Sequence, residues 1–370
     1  MNTCRRRAAL ALTAVVLVFW AGVCIRAQEG PRAQGAEPPK SIGERTARMK
    51  KMDGFFPLYW EESSGRLYLE VSRLDTEVIH SVGFATGLGS NDIGIDRGAL
   101  AGSRIVKFER VGPKLLMVQP NYTFRGTSSN RAEVRDVQDA FARSVLWSFP
   151  IAAMDDGRYL IDYTEFLVRD PVDIAQRLRP GTYRFEAARS SVYLPLTMAF
   201  PKNTEAEAEL TFVRQPPTGP AAGGGGRGGS GAFFEGVGRV AATPEAASIR
   251  VHHSIAELPD ANYKPRVYDP RSGYFALSYE DFAAPIEQPM TKRLIRRHRL
   301  RKKDPAAAMS DPVKPIVYYV DPGAPEPIRS ALIEGARWWN EAFEAAGYRN
   351  AFQVEMLPDG VSPLDIRYNV

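Results

Sequence analysis

The sequence predicts an α+β protein, with a β-rich antiparallel N-terminal region followed by an incomplete α/β domain. Apolar and polar residues alternate in several short segments between residues 58 and 214, a pattern typical of antiparallel strands. Beyond residue 313, one long amphipathic helix stands between two segments with strand composition. The chain has 370 residues, of which 44% are hydrophobic and 25% are charged. This composition is normal for globular proteins and excludes a collagen, a disordered tail and a multi-span membrane protein.

The N-terminal strands are predicted from period-two segments and from the turns between them. In RLYLEVS (66–72), apolar residues alternate with more polar ones, and SSG (63–65) is a hairpin signal after FFPLYWEE. The run 106–109 alternates in the same way, and Gly112 and Pro113 then turn the chain into KLLMVQP. In EAEAELTFVR (205–214), every second residue lies on one apolar face. We therefore expect half-buried strands, with one face toward the core and the other toward water.

Three segments have helical patterns. Two short helices are expected near 131–143 and 171–179. Between 328 and 346, apolar residues recur at intervals of one, three and four residues, which predicts a single helix of about five turns. Gly347 suits the C-terminal cap of this helix. The flanking segments KPIVYYVD and AFQVEML predict one strand on each side of it.

The last residues predict one more strand, which ends without a turn or a partner. Ile366, Tyr368 and Val370 alternate with polar residues. A lone strand–helix–strand–strand unit cannot readily cover the apolar face of its own helix. We therefore expect the last domain to be incomplete and the sequence to be truncated.

Changes in composition divide the chain into six parts. These are a signal peptide (1–27), a flexible spacer (28–40), a first N-terminal region (41–85), a β-rich region (86–290) with a Gly-rich loop at 215–231, a basic linker (291–312) and a final strand–helix–strand segment (313–370).

The first 27 residues have the pattern of a secretory signal. Arg5, Arg6 and Arg7 precede the apolar run 8–23, which is shorter than a typical membrane span. We therefore expect an exported protein, in the periplasm, on the cell surface or in the medium, with no stable membrane span after cleavage. Both cysteines lie within this segment, so the mature chain must be stable without disulfides.

The four histidines do not form a recognisable zinc motif. None of His80, His252, His253 and His298 belongs to H-E-x-x-H. If IRVHHSI is a strand, its adjacent histidines point to opposite faces and cannot easily bind one metal ion. We expect one of the pair to be packed and the other to face solvent, with no further histidine near enough to complete a site.

Two acidic pairs are better explained by turns than by chemistry. Asp92 and Asp96 lie in the glycine-rich stretch 87–98, which lacks both a phosphate-binding register and the spacing of a calcium loop. Asp155 and Asp156 precede Gly157, which is a turn signal. We expect the first stretch to be a tight loop ordered by hydrogen bonds from its side chains to the backbone. The residues alone contain no complete active site, so no catalytic, cofactor-binding or metal-binding residue is assigned.

Eight basic residues are concentrated between 292 and 303. They and four arginines of the leader account for the net charge of +5, and the remainder of the chain has a slight acidic excess. The segment has no interleaved aromatic residues and is flanked by Pro289 and Pro305. We expect a solvated linker, or a belt that forms ion pairs with the acidic remainder, and no nucleic-acid partner.

Several longer runs, such as DGFFPLYWEESSGRLYLEV, GLGSNDIGIDRG and VLWSFPIAA, are similar to those of a known family. Further similarity lies in FPKNTEAEAELTF, LPDANYKPRVYDPRSGYF and RHRLRKKDP, and above all in the run from PVKPIVYYVD to the last residue. The chain resembles exported bacterial zinc-dependent metallopeptidases, which carry two regions of unknown function ahead of a metzincin-like catalytic domain. The resemblance implies that the catalytic domain begins near residue 313.

The same resemblance implies zinc in the full-length protein, which would act on a peptide or protein substrate. The H-E-x-x-H helix would follow residue 370, so we expect this chain alone to bind no zinc and to be inactive. A second interpretation is a non-catalytic periplasmic or surface module that binds peptide or glycan. The first interpretation predicts that the natural gene encodes the zinc-binding helix beyond residue 370. The second predicts that the isolated chain folds by itself.

Overall fold

A computed structural model describes residues 41–89, 93–216 and 236–368 of the chain. The predicted signal peptide, the spacer, Asp92 and the Gly-rich loop from residue 217 onward lie outside the described residues.

Strands dominate the described residues. In chain order they are β1 (Lys50–Met52), β2 (Leu58–Glu61), β3 (Arg66–Val71), β4 (Val78–Phe84), β5 (Leu100–Val111), β6 (Lys114–Gln119), β7 (Phe124–Arg125), β8 (Ser144–Asp155), β9 (Arg158–Asp162), β10 (Tyr183–Phe185), β11 (Ser191–Ala199), β12 (Asn203–Arg214), β13 (Ala246–Glu257), β14 (Ala276–Asp281), β15 (Thr291–Ile295), β16 (Ile316–Val320) and β17 (Phe352–Met356).

Helices are few and mostly short. They are α1 (Ile42–Thr46), α2 (Arg131–Ala140), α3 (Thr164–Leu167), α4 (Ile174–Arg177), α5 (Val237–Val240), α6 (Ile328–Arg337) and α7 (Trp339–Ala345). The expected helix near 131–143 is therefore confirmed, whereas only α4 forms within 171–179. Asn130 begins α2, because its side chain accepts a hydrogen bond from the Ala132 amide at 3.0 Å.

Twelve strands form one antiparallel sheet, in the order β1-β2-β3-β9-β8-β6-β5-β4-β13-β12-β10, with β11 also paired to β12. The β-rich antiparallel region is therefore confirmed. Strands from both sides of residue 85 belong to this sheet, because β4 pairs with β5 on one side and with β13 on the other. Two smaller sheets are formed by β15-β14-β7, in which β7 comes from between β6 and β8, and by the parallel pair β16-β17.

Aromatic rings run through the centre of the main core. Phe56 lies 5.9 Å from Phe108, Phe108 lies 6.2 Å from Phe149, and Phe149 lies 5.6 Å from Phe166 (ring centroids). All four side chains are fully buried. Phe166 comes from α3, so this short helix places a large ring against the face of the sheet. Aromatic pairs at such distances contribute about 0.5–1.5 kcal/mol beyond the area they bury.

The predicted hairpins form where the sequence places turns. β2 pairs with β3 across residues 62–65, and β5 pairs with β6 across Gly112. Gly65 and Gly112 have φ of 65° and 58°, a region that glycine enters without a steric penalty. Gly157, with φ of 80°, turns β8 into β9 after Asp155, as expected from the sequence.

The expectation of half-buried strands is wrong for β3 and for part of β12. Every residue of β3 from Leu67 to Val71 is buried. The face that was expected to meet water carries Tyr68, which packs in a second small core with Ile42 of α1, Tyr59 and Leu160. The period-two pattern reports one apolar face, but it does not reveal a layer that covers the other face.

The predicted long helix forms, but it is divided. α6 and α7 meet at Trp338, whose amide donates to the Gly335 carbonyl at 3.3 Å, a three-residue spacing that interrupts the α-helical pattern. The flanking strands β16 and β17 pair in parallel, as a strand–helix–strand unit requires. Phe343 stacks on Phe352 at 5.8 Å, which packs α7 onto β17.

The expected strand at the C-terminus is absent from the described residues. Residues 361–368 form turns, and Val370 lies outside the described part. Asp365 accepts a hydrogen bond from the Arg367 amide at 3.1 Å and forms an ion pair with the same residue at 2.6 Å. The Asn203 side chain binds the Leu364 carbonyl at 2.7 Å and the Ile366 amide at 3.3 Å. These bonds, two of them from the distant Asn203, occupy backbone groups of the segment, so alternation alone does not produce a strand here.

Gly347 has the conformation predicted for a helix cap, and we expect Gly347→Ala to be destabilising. Its φ is 82°, and an added Cβ would lie 2.5 Å from the Ala308 carbonyl oxygen. We expect a loss of about 2 kcal/mol in the free energy of unfolding, measured by chemical denaturation. Gly335→Ala is the matched control, because that Cβ meets nothing within 4 Å and alanine favours a helix. Equal losses in the two variants would contradict this account.

Candidate functional site

A cleft on one face of the main sheet contains a buried, hydrogen-bonded group of ionisable side chains. Its floor is formed by neighbouring strands β12, β13 and β4. The register places Glu207 opposite His252, and His252 opposite Gly83. Glu205 and Ser254 are paired one step further along the same strands. Residues directly opposite one another share a face of an antiparallel sheet, so these side chains converge.

His252 bridges two buried carboxylates. Its Nε2 lies 2.5 Å from Oε2 of Glu205, and its Nδ1 lies 3.2 Å from Oε1 of Glu207. Each glutamate is only 2% exposed. Both ring nitrogens are therefore held by acceptors, a geometry that requires a proton on each of them.

Further contacts complete the network around these carboxylates. Arg250 Nη1 donates to Oε2 of Glu207 at 3.2 Å, and its guanidinium lies 4.2 Å from the centroid of the Tyr193 ring. Ser254 and Asn203 donate to Oε1 of Glu205 at 2.7 and 2.6 Å. A buried carboxylate is tolerated only when it is paired in this way.

The walls of the cleft are mainly apolar, with one arginine among them. Leu100, Leu196, Leu364 and Ile366 line it, together with Arg97. The residues from the C-terminal turns reach the cleft because the Asn203 side chain binds that segment. The cleft therefore has an ionic floor and mainly apolar walls.

The electrostatics make His252 a cation at neutral pH. Burial by itself lowers the pKa of His252, but the hydrogen bonds to Glu205 and Glu207 outweigh it and raise the pKa to about 9. The two carboxylates then balance the charges of His252 and Arg250. A histidine in this state is neither a general base nor a metal ligand, because neither nitrogen has a free lone pair.

Stability should fall on both sides of about pH 6.5. The pKa of His252 is raised to about 9, so its contribution is complete below the unfolded value of about 6.5 and is lost as the pH rises through 9. Burial and the nearby Arg104 and Arg169 lower the pKa of His80 to about 3. Below pH 6.5, the unfolded chain therefore binds a proton at His80 that the folded chain does not bind. The free energy of unfolding falls from pH 6.5 toward pH 3.

Chemical denaturation between pH 4 and 9.5 measures this profile. Above pH 6.5, the loss in the free energy of unfolding should approach about 3 kcal/mol, which corresponds to the rise in the pKa of His252. In His252→Asn, we expect the free energy of unfolding to change little above pH 6.5, while its fall below pH 6.5 remains. An unchanged loss above pH 6.5 in this variant would show that another group produces it.

The two adjacent histidines point to opposite faces, as the sequence predicts. His253 is packed in the core at 1% exposure, but His252 is bound by carboxylates rather than simply facing solvent. A third histidine lies close to this pair, because His80 Nε2 lies 3.2 Å from His253 Nδ1. β4 and β13 are adjacent in the sheet, although these two residues are 173 positions apart in the chain.

The other acidic candidates are structural where the structure describes them. Asp96 is exposed, and its backbone carbonyl accepts from the Ala99 amide at 3.1 Å. In the described part of that loop, the Leu88 amide donates to the Ile95 carbonyl at 2.9 Å. Asp155 accepts from the Ile42 amide at 2.9 Å and so anchors α1 to the sheet.

The segment 291–312 is not wholly an irregular linker, because its first five residues form β15. Within the described residues, one ion pair involves its basic run, between Arg299 and Asp260. Arg297 donates instead to the Lys264 carbonyl, and Lys302 donates to the carbonyls of Ala307 and Ala308. His298 is exposed. The expected belt of ion pairs is thus mostly a set of hydrogen bonds to backbone carbonyls.

Glu205 and Glu207 were not singled out by sequence analysis. They fall on the polar face of EAEAELTFVR, which resembles an ordinary solvated edge. The local signal is weak, because glutamates on alternate positions are common on exposed strands. Only the register between β12 and β13 shows that they enclose His252.

The described residues contain no group of three or more His, Cys, Asp or Glu side chains that could hold a metal ion. In the same residues, no helix has the length and apolar character needed to cross a membrane.

Comparison with known proteins gives one family. The model of a family described as a domain of unknown function (DUF5117) matches residues 98–303. No curated protein and no solved structure matches the chain. The matched residues include β12 and β13, which carry the cleft network, whereas β4 and its histidine precede them. Because the match covers more than half of the sequence, the chain belongs to this DUF5117 family.

Proposed function

We propose that this chain is the N-terminal part of an exported zinc-dependent metallopeptidase, with a β-rich region followed by the first elements of a metzincin-like catalytic domain. The full-length enzyme would hydrolyse bonds in a peptide or protein substrate with a zinc-activated water molecule. The single observation that carries this proposal is that part of the apolar face of α6 and α7 is uncovered in the described part of the chain.

This face is unusually open for an amphipathic helix. Ile328, Leu332, Trp338 and Trp339 expose between 51% and 68% of their surfaces. Leu332, Ala336 and Trp339 line an open groove against Val354 of β17. An α/β domain normally covers such a helix face with further elements. The exposed face supports the view that this strand–helix–strand unit is the beginning of a larger catalytic layer.

The described residues do not fit a catalytic zinc ion. Both nitrogens of His252 are occupied, and His80 and His253 bond to each other in the core. No step of peptide hydrolysis is therefore assigned to a residue of this chain. Under the proposal, the β-rich region supports the catalytic domain, and the zinc-binding residues belong to other parts of the full-length protein.

The test compares the 370-residue chain with the exported product of the complete gene. We expect the complete product to contain zinc and to cleave casein in a chelator-sensitive way, and the 370-residue chain to do neither. Acrylamide quenching should show Trp338 and Trp339 shielded in the complete product, with a Trp338→Phe/Trp339→Phe variant identifying their signal. A complete product without zinc and with both tryptophans still exposed would overturn the proposal.

A second candidate, a non-catalytic module that binds peptide or glycan, is favoured by the cleft over His252. Its apolar walls and polar floor suit a ligand with both kinds of surface. Leu100 is 67% exposed on the wall, so Leu100→Asp should weaken binding in calorimetry with peptide or glycan libraries. Val267→Asp is the control, because Val267 is 81% exposed outside the cleft. Ligand binding by the 370-residue chain, lost in Leu100→Asp alone, would support this candidate.

A further inference from the structure

One end of the main core gathers basic side chains around Phe166. The Arg169 guanidinium lies 4.7 Å from the centroid of the Phe166 ring and 5.2 Å from that of Trp147. His80 and His253 each lie 5.5 Å from the same phenylalanine ring. Phe166 is therefore a common neighbour of one guanidinium and two imidazoles.

Arg104 extends this group from the neighbouring strand. The register of β4 and β5 pairs Arg104 with His80, so the two side chains share a face of the sheet. Arg104 and Arg169 are both half-buried. The two arginines are close enough that each lowers the pKa of His80, after burial, which has the larger effect.

The guanidinium groups of the cluster form no ion pair among the described residues, although the charge of Asp170 acts favourably on Arg169. Arg169 donates a hydrogen bond to the Phe166 carbonyl at 3.0 Å. The adjacent Asp170 is occupied, since its carboxylate accepts from the amides of Ile174 and Ala175 at 2.8 and 2.9 Å. A guanidinium group that is partly removed from water is stabilised by a charged partner, because the burial of an unpaired charge is unfavourable.

The histidine pair adds an independent observation. His80 is 2% exposed, and its Nδ1 has no hydrogen-bond partner in the described part of the chain. Leaving a buried polar atom unpaired costs about 1–3 kcal/mol. If His253 Nδ1 donates to His80 Nε2, the unpaired His80 Nδ1 carries a proton and can donate it. The unpaired His80 Nδ1 then lies at the same end of the core as the guanidinium groups of Arg104 and Arg169.

We propose that Arg104, Arg169 and His80 form a binding site for an oxyanion of the carboxylate or phosphate type. Guanidinium groups present planar, paired donors that match the oxygens of these anions. The aromatic rings of Trp147 and Phe166 orient Arg169 by cation–π contact. The anion supplies the negative charge that the cluster lacks and accepts the proton of His80 Nδ1, directly or through one water molecule. This site is separate from the His252 cleft and does not depend on the proposed peptidase function.

The test follows the four histidine imidazole signals of the full chain by NMR. Sodium acetate and sodium phosphate are titrated separately, with sodium chloride at matched ionic strength as the reference. We expect saturable shifts of the His80 and His253 signals with at least one of the two oxyanions, and no matching shift of exposed His298. The two titrations distinguish a carboxylate ligand from a phosphate ligand. The absence of a saturable shift with both anions would overturn the proposal.

Two variants locate the site. Arg104→Gln should weaken binding by about tenfold or more, because a charge-assisted pair is lost. Arg110→Gln is the matched control on the same strand, since Arg110 contacts Tyr159 at the other end of β5. If Arg104→Gln fails to fold, Arg104→Lys keeps the charge and should bind more weakly than the parent chain. Unchanged binding in the folded Arg104 variant would overturn the assignment.

Discussion

Phe166→Ala should lower the free energy of unfolding by about 3–5 kcal/mol, the loss expected when a fully buried phenylalanine is truncated. Phe166 is 0% exposed and lies within 6 Å of five other aromatic or imidazole rings, two of them those of His80 and His253. Its centroid lies 5.2 Å from that of Tyr163, 5.6 Å from that of Phe149 and 5.9 Å from that of Trp147. The substitution would also remove the ring that lies 5.5 Å from each of His80 and His253.

Urea denaturation at pH 7 measures this loss. Phe275→Ala is the matched control, because Phe275 is 83% exposed and should change stability by less than about 0.5 kcal/mol. If Phe166→Ala does not fold, Phe166→Leu should fold with an intermediate loss. Equal stabilities of the Phe166 and Phe275 variants would show that α3 does not anchor the core.

Glu207→Ala should lower the free energy of unfolding by about 3 kcal/mol, because it leaves two cations without their shared acceptor. Glu207 is 2% exposed and accepts hydrogen bonds from His252 and Arg250, each at 3.2 Å. The same variant should lower the pKa of His252, since one of the two carboxylates that raise it is removed. Denaturation at pH 7 gives the stability, and the His252 NMR signal gives the pKa.

Glu209→Ala is the control for this prediction. Glu209 lies two residues further along the same strand, on the same face, but it is exposed. We expect a change within about 0.5 kcal/mol and an unchanged pKa of His252. Equal losses at residues 207 and 209 would mean that the buried network does not differ from an ordinary strand surface.

Local elements followed closely from the sequence. Glycines at 65, 112 and 157 mark hairpin turns because their positive φ values depend on the residue itself and not on distant partners. Strand β12 and helix α2 were also evident, since hydrophobic periodicity and N-capping act over a few residues. The strand–helix–strand unit around α6 was predicted for the same reason.

The candidate site could not be predicted in this way. Glu207 and His252 are 45 residues apart, and His80 and His253 are 173 residues apart. Each residue alone fits an ordinary strand position. The order of strands decides which of them meet, and that order depends on non-local pairing across the whole sheet.

The amino-acid sequence by itself determined the class of the protein, because period-two alternation, turn residues and the amphipathic helix are local properties of the chain. It also placed His252 and His253 on opposite faces, since side chains alternate along any strand. Only the tertiary structure decided that both faces of β3 are buried, that two glutamates enclose His252, and that the C-terminal residues form turns beside Asn203. These outcomes depend on layers, strand register and side-chain bonds contributed by distant segments, whose effects are absent from any short stretch of sequence.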